Sequence, residues 1–139
     1  MKQKYKIIID TNLWISFLLS KKYDFIGTLL DSEKVELIFS DELLAEFVEV
    51  ANRPKLRKFF THEDWTLIYQ IIERYAVYVP VTSSVILCRD AKDNYLLSLA
   101  KDAKANYLLT GDKDLLVLKI FEETQIITIA EFQTGIANI

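Results

Sequence analysis

The chain predicts an α/β fold in which a parallel central sheet of about five strands carries helices on both faces. Three observations predict it. Short runs rich in Ile, Leu and Val alternate with stretches of helical periodicity along the 139 residues. The runs lack polar alternation, as strands buried on both faces do. Glycine (3) and proline (2) are scarce, so little chain is left for linkers, and an apolar content of 51% is far above that of a disordered chain. The length suits one compact domain over residues 1–139.

Tyr5–Ile9 reads as the first strand, ending in Asp10. Thr11 and Asn12 are placed to cap a short helix over Leu13–Leu19, and a second helical stretch near Phe25–Asp31 leads to a strand at Val35–Phe39. Ser40 has the character of an N-cap, with Asp41 and Glu42 in the first turn of a helix that runs to about Asn52. Arg53, preceding Pro54, is biased away from helix and marks its end. Thr61 and Asp64 have capping-box spacing and open an amphipathic helix with Trp65, Ile68, Ile72 and Tyr75 on one stripe. Ala76–Val79, Tyr107–Thr110 and Ile126–Ile129 supply three more strands, and residues 90–104 another helix.

Several classes of function are disfavoured at once. The single cysteine, Cys88, forms no internal disulfide, and with one histidine, His62, there is no cluster for zinc. Cys88 reads as a small core residue and His62 as a surface residue at a helix start. The apolar stretch Ile7–Leu19 is broken by Asp10, Asn12 and Ser16, is too short to cross a bilayer and is followed by no small-residue cleavage motif, so a cytoplasmic protein without membrane association is expected. A net charge of −3 argues against indiscriminate binding to nucleic acid, so any such role must rest on local cations and bound metal.

Ligands of open parallel sheets bind beyond the carboxyl ends of the strands. Asp10 and Asp112 stand there, after the first and fourth strands, although each could simply turn the chain into a helix. Glu46 falls on the border of the apolar stripe formed by Leu43, Leu44, Phe47, Val48 and Ala51, where it either leans inward or reaches water. Asp93 shares a helix face with Leu96 and Ala100, and Asp90 with Asp93 forms a D-x-x-D pair that equally suits capping. Two carboxylates about 4 Å apart repel by about 4 kcal/mol at an effective dielectric of about 20. Several in one pocket need a cation or raised pKa values. A donor set of oxygens alone selects a hard cation, Mg²⁺ or Mn²⁺, which can activate water and neutralise a phosphodiester; two ions would clamp both the attacking and the leaving oxygen.

Arg53, Lys55, Arg57 and Lys58 place four cations within six residues, followed by Phe59 and Phe60. They are candidates for phosphate contacts, the alternative being a solvated basic loop followed by two core phenylalanines. Arg89, Lys92 and Lys113, beside the acids, are the next candidates.

Four segments in order, Ile8-Ile9-Asp10-Thr11-Asn12, Asp41 to Glu46 with Arg53-Pro54-Lys55, Arg89 to Asn94, and Leu109 to Leu116, together with Ile126-Ile127-Thr128 and Glu131-Phe132, resemble the PIN-domain nucleases, in particular the toxin components of toxin–antitoxin pairs. The resemblance covers nearly the whole chain. It implies a three-layer α/β/α sandwich. It implies a ribonuclease whose metal-binding and catalytic carboxylates are Asp10, Glu46, Asp93 and Asp112, with Asp90 and Asp114 as auxiliary ligands of Mg²⁺ or Mn²⁺. Thr11, Asn12 and Thr110 would orient the carboxylates or the attacking water. It further implies an RNA substrate and a small antitoxin protein that blocks the pocket. One departure stands out: Asn94 occupies a position where related sequences often carry a further Asp, and an amide is a poorer metal ligand.

Two readings of other classes compete. A non-catalytic binding module would use the acids for RNA or protein contacts without metal dependence. A magnesium-dependent phosphatase or phosphoacceptor domain would usually show D-x-D after the first strand, where this chain has Asp10-Thr11-Asn12. A homodimer is expected through helix faces bearing Trp14, Phe17 and Leu18, or Trp65, Ile68 and Ile72, unless these residues are core.

Overall fold

The computed structural model describes residues 4–21 and 24–136. Six strands, β1 (Tyr5–Ile9), β2 (Val35–Phe39), β3 (Ala76–Tyr78), β4 (Tyr107–Leu109), β5 (Ile120–Phe121) and β6 (Thr124–Ile127), form one sheet in the order β3-β2-β1-β4-β6-β5. All neighbours are parallel except the β5–β6 pair. The helices are α1 (Thr11–Ser20), α2 (Asp24–Asp31), α3 (Asp41–Ala51), α4 (Pro54–Arg57), α5 (His62–Tyr75), α6 (Ala91–Ala103), α7 (Lys113–Leu116) and α8 (Ile129–Ile136). The α/β class and the mainly parallel sheet flanked by helices agree with the reading of the sequence.

The chain lays β2 and then β3 to one side of β1, then crosses back to place β4 on the other side. Right-handed crossovers put the helices before and after such a reversal on opposite faces of the sheet. Trp14 of α1 lies 6.1 Å from Phe47 of α3 and 5.7 Å from Phe39 of β2, which seats α1 and α3 side by side on one face. Ile7, Ile8 and Ile9 are almost wholly buried, as a central strand covered on both faces requires. β1 and β4 flank the reversal point, and the amide of Asp10 donates to the Leu109 carbonyl at 3.0 Å, so their carboxyl ends finish level. Crevices of open α/β sheets form at this point.

Local capping explains most boundaries. Ser40 accepts from the Leu43 amide at 3.1 Å and starts α3. Thr61 and Asp64 exchange both capping-box hydrogen bonds, at 2.8 and 3.2 Å. The expected strand Ile126–Ile129 lies instead at Thr124–Ile127. Thr128 and Glu131 form reciprocal hydrogen bonds at the start of α8, and this capping pair pulls the chain out of the sheet. Arg53 is extended, as expected before proline, but Pro54 opens the short helix α4 where a loop was expected. Of the residues considered for a homodimer, Trp14, Phe17, Leu18, Ile68 and Ile72 are buried in the core and unavailable to a second copy, while Trp65 is half-buried against it. Among the described residues no helix is long and apolar enough to cross a membrane.

Between β3 and α6 the chain runs without regular structure and is held by side chains of α6. Asp102 accepts from the amides of Thr82 (2.6 Å) and Ser83 (2.9 Å). Ser98 accepts from the Val85 amide at 2.9 Å. The Asn94 side-chain oxygen accepts from the amides of Leu87 (2.9 Å) and Cys88 (2.7 Å), while its amide nitrogen donates to the Cys88 carbonyl at 2.8 Å. Residues 94, 98 and 102 are spaced one turn apart, so a single stripe of the helix supplies the hydrogen bonds of an irregular strap. The strap delivers Arg89 and Asp90 to the carboxyl edge of the sheet.

Candidate metal centre

A pocket of about 160 Å³ opens at the reversal point, lined by Asp10, Thr11 and Asn12, by Glu46, Val50 and Arg53, by Asp90, Lys92, Asp93 and Leu96, and by Asp112. Three helices, α1, α6 and α7, start at its wall, each capped by an aspartate. Asp10 caps α1 by accepting from the Asn12 amide at 3.3 Å, Asp90 caps α6 through the Lys92 amide at 2.8 Å, and Asp112 caps α7 through the Asp114 amide at 2.8 Å. Capping and pocket-lining are therefore not alternatives here, because each cap leaves carboxylate lone pairs facing the crevice.

Thr110 couples the two central strands. Its hydroxyl donates to Asp10 Oδ2 at 2.8 Å and accepts from the Asp112 amide at 3.0 Å. This fixes the Asp10 carboxyl against the turn that carries Asp112. Burial raises the Asp10 pKa and Asp112 adds to the rise, while the Thr110 and backbone hydrogen bonds oppose it. Thr11 donates weakly to Glu46 Oε2 at 3.4 Å, and Lys92 Nζ lies 3.4 Å from Glu46 Oε1. Glu46 does lean inward from α3, held by a cation of α6.

Asp93 is the most constrained acid. It is 4% exposed, and its Oδ2 is buried with no hydrogen-bond partner among the described residues. Burial first, and then the charge of Asp112, pushes its pKa up to about 7. One oxygen each from Asp93, Asp112 and Asp114 lie within 4.8 Å of one another. An orphaned, desolvated carboxylate oxygen beside two other carboxylates is costly unless a proton or a cation is shared among them. Carboxylates alone suit a hard divalent ion. Asp10 and Glu46 line the same pocket but stand outside that tight triad. Asp114, brought forward only by resemblance, is inside it.

Among the basic candidates, Arg53 and Lys92 line the pocket. Arg89 pairs loosely with Asp114 at 3.9 Å, while Lys113 is exposed and lies outside the lining. Lys55, Arg57 and Lys58 are exposed on α4 and just beyond it, away from the lining. The alternative of two core phenylalanines holds for one of them: Phe60 packs against the core, but Phe59 is 53% exposed. The Asn94 amide is committed to the Leu87–Cys88 backbone; a carboxylate there would present a second acceptor to the Cys88 carbonyl. Its role was not legible because the strap has no periodicity. The Cys88 thiol is pushed up by burial and by the surrounding aspartates, which disfavours the thiolate a nucleophile requires.

Residues 6–114 match the model of the PIN domain. The chain is also 34% identical over 122 residues to "Uncharacterized protein MJ1680" of Methanocaldococcus jannaschii, an alignment that covers 85% of this chain and 77% of that protein. With an acidic pocket at the reversal point of a parallel sheet and this match over most of its length, the chain belongs to the PIN-domain family, a family of nucleases.

Proposed function

We propose that the chain is a divalent-metal-dependent endoribonuclease built as one nuclease domain over residues 1–139. The observation that carries this reading is the Asp93 carboxylate, which has a buried oxygen without a hydrogen-bond partner among the described residues and an oxygen within 4.8 Å of those of Asp112 and Asp114. Asp93, Asp112 and Asp114 would hold Mg²⁺ or Mn²⁺, with Asp10, Glu46 and Asp90 completing the donor set from the pocket wall. A bound ion would lower the pKa of a water and offset the charge of the phosphodiester.

The chain's own residues prepare that chemistry. Thr110 holds the Asp10 carboxyl in place, so no reorganisation is required when substrate arrives. Thr11 and Lys92 keep Glu46 turned toward the pocket, and Asn12 supplies the amide that fixes the other Asp10 oxygen. Arg53 and Lys92 offer positive charge at the wall, where phosphates flanking the scissile bond would sit. Arg89, Lys113 and the α4 cations extend that charge outward.

The finer assignment, the toxin of a toxin–antitoxin pair silenced by a small antitoxin covering the pocket, is supported by the motif segments around Asp10, Glu46, Asp93 and Asp112. Purified protein incubated with labelled RNA and DNA, in Mg²⁺, Mn²⁺ or chelator, tests the function. RNA cleavage that needs the ion and disappears in Asp10→Asn is expected. Cleavage that survives chelation would overturn the mechanism.

A further inference from the structure

We propose that Phe59 is a platform on which an unpaired base of single-stranded RNA stacks, beside the pocket; this rests on the nuclease reading and names the form of substrate it takes. No acid occurs between Glu49 and Glu63, whereas Arg53, Lys55, Arg57 and Lys58 all do. Arg53 is paired with Glu49 at 3.0 Å, and Lys55, Arg57 and Lys58 beyond it form, in a chain of net charge −3, a local basic ridge complementary to a phosphate backbone. Phe59 stands at its end, 53% exposed, and among the described residues no other aromatic ring packs on it. Lys58 Nζ lies 5.3 Å from the ring centroid. That ammonium sits over one face of the ring, so a base stacks on the opposite face and the cation adds to the positive charge met by the passing phosphate backbone.

The platform is rigid where it matters. Lys21, at the end of α1, donates to the Phe59 carbonyl at 2.9 Å and also pairs with Asp64 of α5. The backbone is tethered while about half of the residue's surface remains exposed. The ridge is also continuous with the pocket. The Arg57 amide bonds the Arg53 carbonyl at 2.9 Å, and the Phe59 amide bonds the Leu56 carbonyl at 2.9 Å. Six residues, four of them in α4, separate Phe59 from pocket-lining Arg53, so the two lie no more than about 20 Å apart, a span that a few nucleotides flanking the one at the metal site can cover. An isolated exposed phenylalanine is ordinary on a protein surface. A phenylalanine set among cations beside a proposed phosphodiester site combines the two elements by which single strands are held, charge along the backbone and rings under the bases.

The test is fluorescence anisotropy of a short labelled single-stranded RNA in chelator, so that nothing is cut, with wild type, Phe59→Ala and Phe59→Trp. Phe59→Ala is expected to weaken binding about tenfold, and Phe59→Trp to bind at least as well as wild type. On an RNA of the same length lacking its bases, wild type and Phe59→Ala should bind equally. Equal binding of the intact RNA by all three proteins would overturn the proposal. So would an equal loss on the abasic strand, or a Phe59-dependent self-association in sedimentation with RNA binding unchanged. RNA that binds through Phe59 but is never cut in Mg²⁺ or Mn²⁺ would leave the platform standing and remove the nuclease reading. RNA that is cut while Phe59→Ala binds normally would do the reverse.

Discussion

Asp93 and Asp102 are carboxylates of one helix, α6, placed in opposite circumstances. Asp102 accepts from two backbone amides and the Ser83 hydroxyl, and these hydrogen bonds hold its pKa below the usual carboxylate value. Asp93 keeps one buried oxygen without a hydrogen-bond partner among the described residues, and burial followed by the charge of Asp112 raises its pKa to about 7. One end of the helix uses a carboxylate to complete the structure, while the other holds a carboxylate the structure does not complete. That difference separates an architectural acid from one available to a ligand more clearly than exposure or charge does.

The largest expected effect breaks the comparison at its functional end. Asp93→Asn should reduce metal-dependent RNA cleavage by on the order of 100-fold or more, while the metal-free protein unfolds at the same temperature or a higher one, because a buried charge has been removed. Asp102→Asn should leave cleavage near wild type and lower the unfolding temperature. A cleavage assay paired with thermal denaturation of both variants reads this directly; the opposite pattern would reverse the assignment of the two acids.

The pH dependence sharpens the contrast. Asp93 has a folded pKa raised above its unfolded value, so the folded state holds its proton longer. Its contribution to the stability of the metal-free protein falls as pH rises from the ordinary carboxylate range and levels off above about 7. Asp102 has a lowered folded pKa, so its contribution is present above the ordinary carboxylate range and is lost as pH falls through the folded value. Unfolding temperature followed against pH should show the first slope vanish in Asp93→Asn and the second in Asp102→Asn. Added Mg²⁺ or Mn²⁺ should stabilise wild type more at pH 8 than at about pH 6, because ion and proton compete for the same oxygens.

Smaller effects probe the strap between these two ends. Asn94→Asp removes the donor to the Cys88 carbonyl and should cost about 1–2 kcal/mol in chemical denaturation without tightening metal binding. A gain in metal affinity would show that this position does act as a ligand. Ser98→Ala deprives the Val85 amide of its acceptor and should cost about 1 kcal/mol or less, with cleavage unchanged.

Strands and caps were the legible part of the molecule, because their signals are local. The run Tyr5–Ile9, the Ser40 cap and the Thr61–Asp64 box each depend on neighbours within a few residues. The inward lean of Glu46 was legible as a border position, but its two holders, Thr11 and Lys92, are distant in sequence and left no trace in the pattern around it. The strap before α6 was illegible because its hydrogen bonds come from side chains of a later helix. Pro54 was read as the end of one helix rather than the start of another, since the same restriction on Arg53 serves both. Strand β5 has two residues and a turn in which Glu122 takes a positive φ without a glycine, so neither periodicity nor turn chemistry announced it. The sequence left Phe59 and Phe60 indistinguishable, because an aromatic beside another aromatic looks like core until burial tells them apart.

The sheet ends in a three-residue strand, β3, on one side and the two-residue antiparallel β5 on the other. Long parallel strands offer a foreign chain a ladder of unmet amides and carbonyls, and here every long strand is interior. A copy that tried to extend the sheet would find only two or three residues to grip at either margin. Resistance to fibre formation and to strand exchange is therefore written into the order in which the strands are laid down.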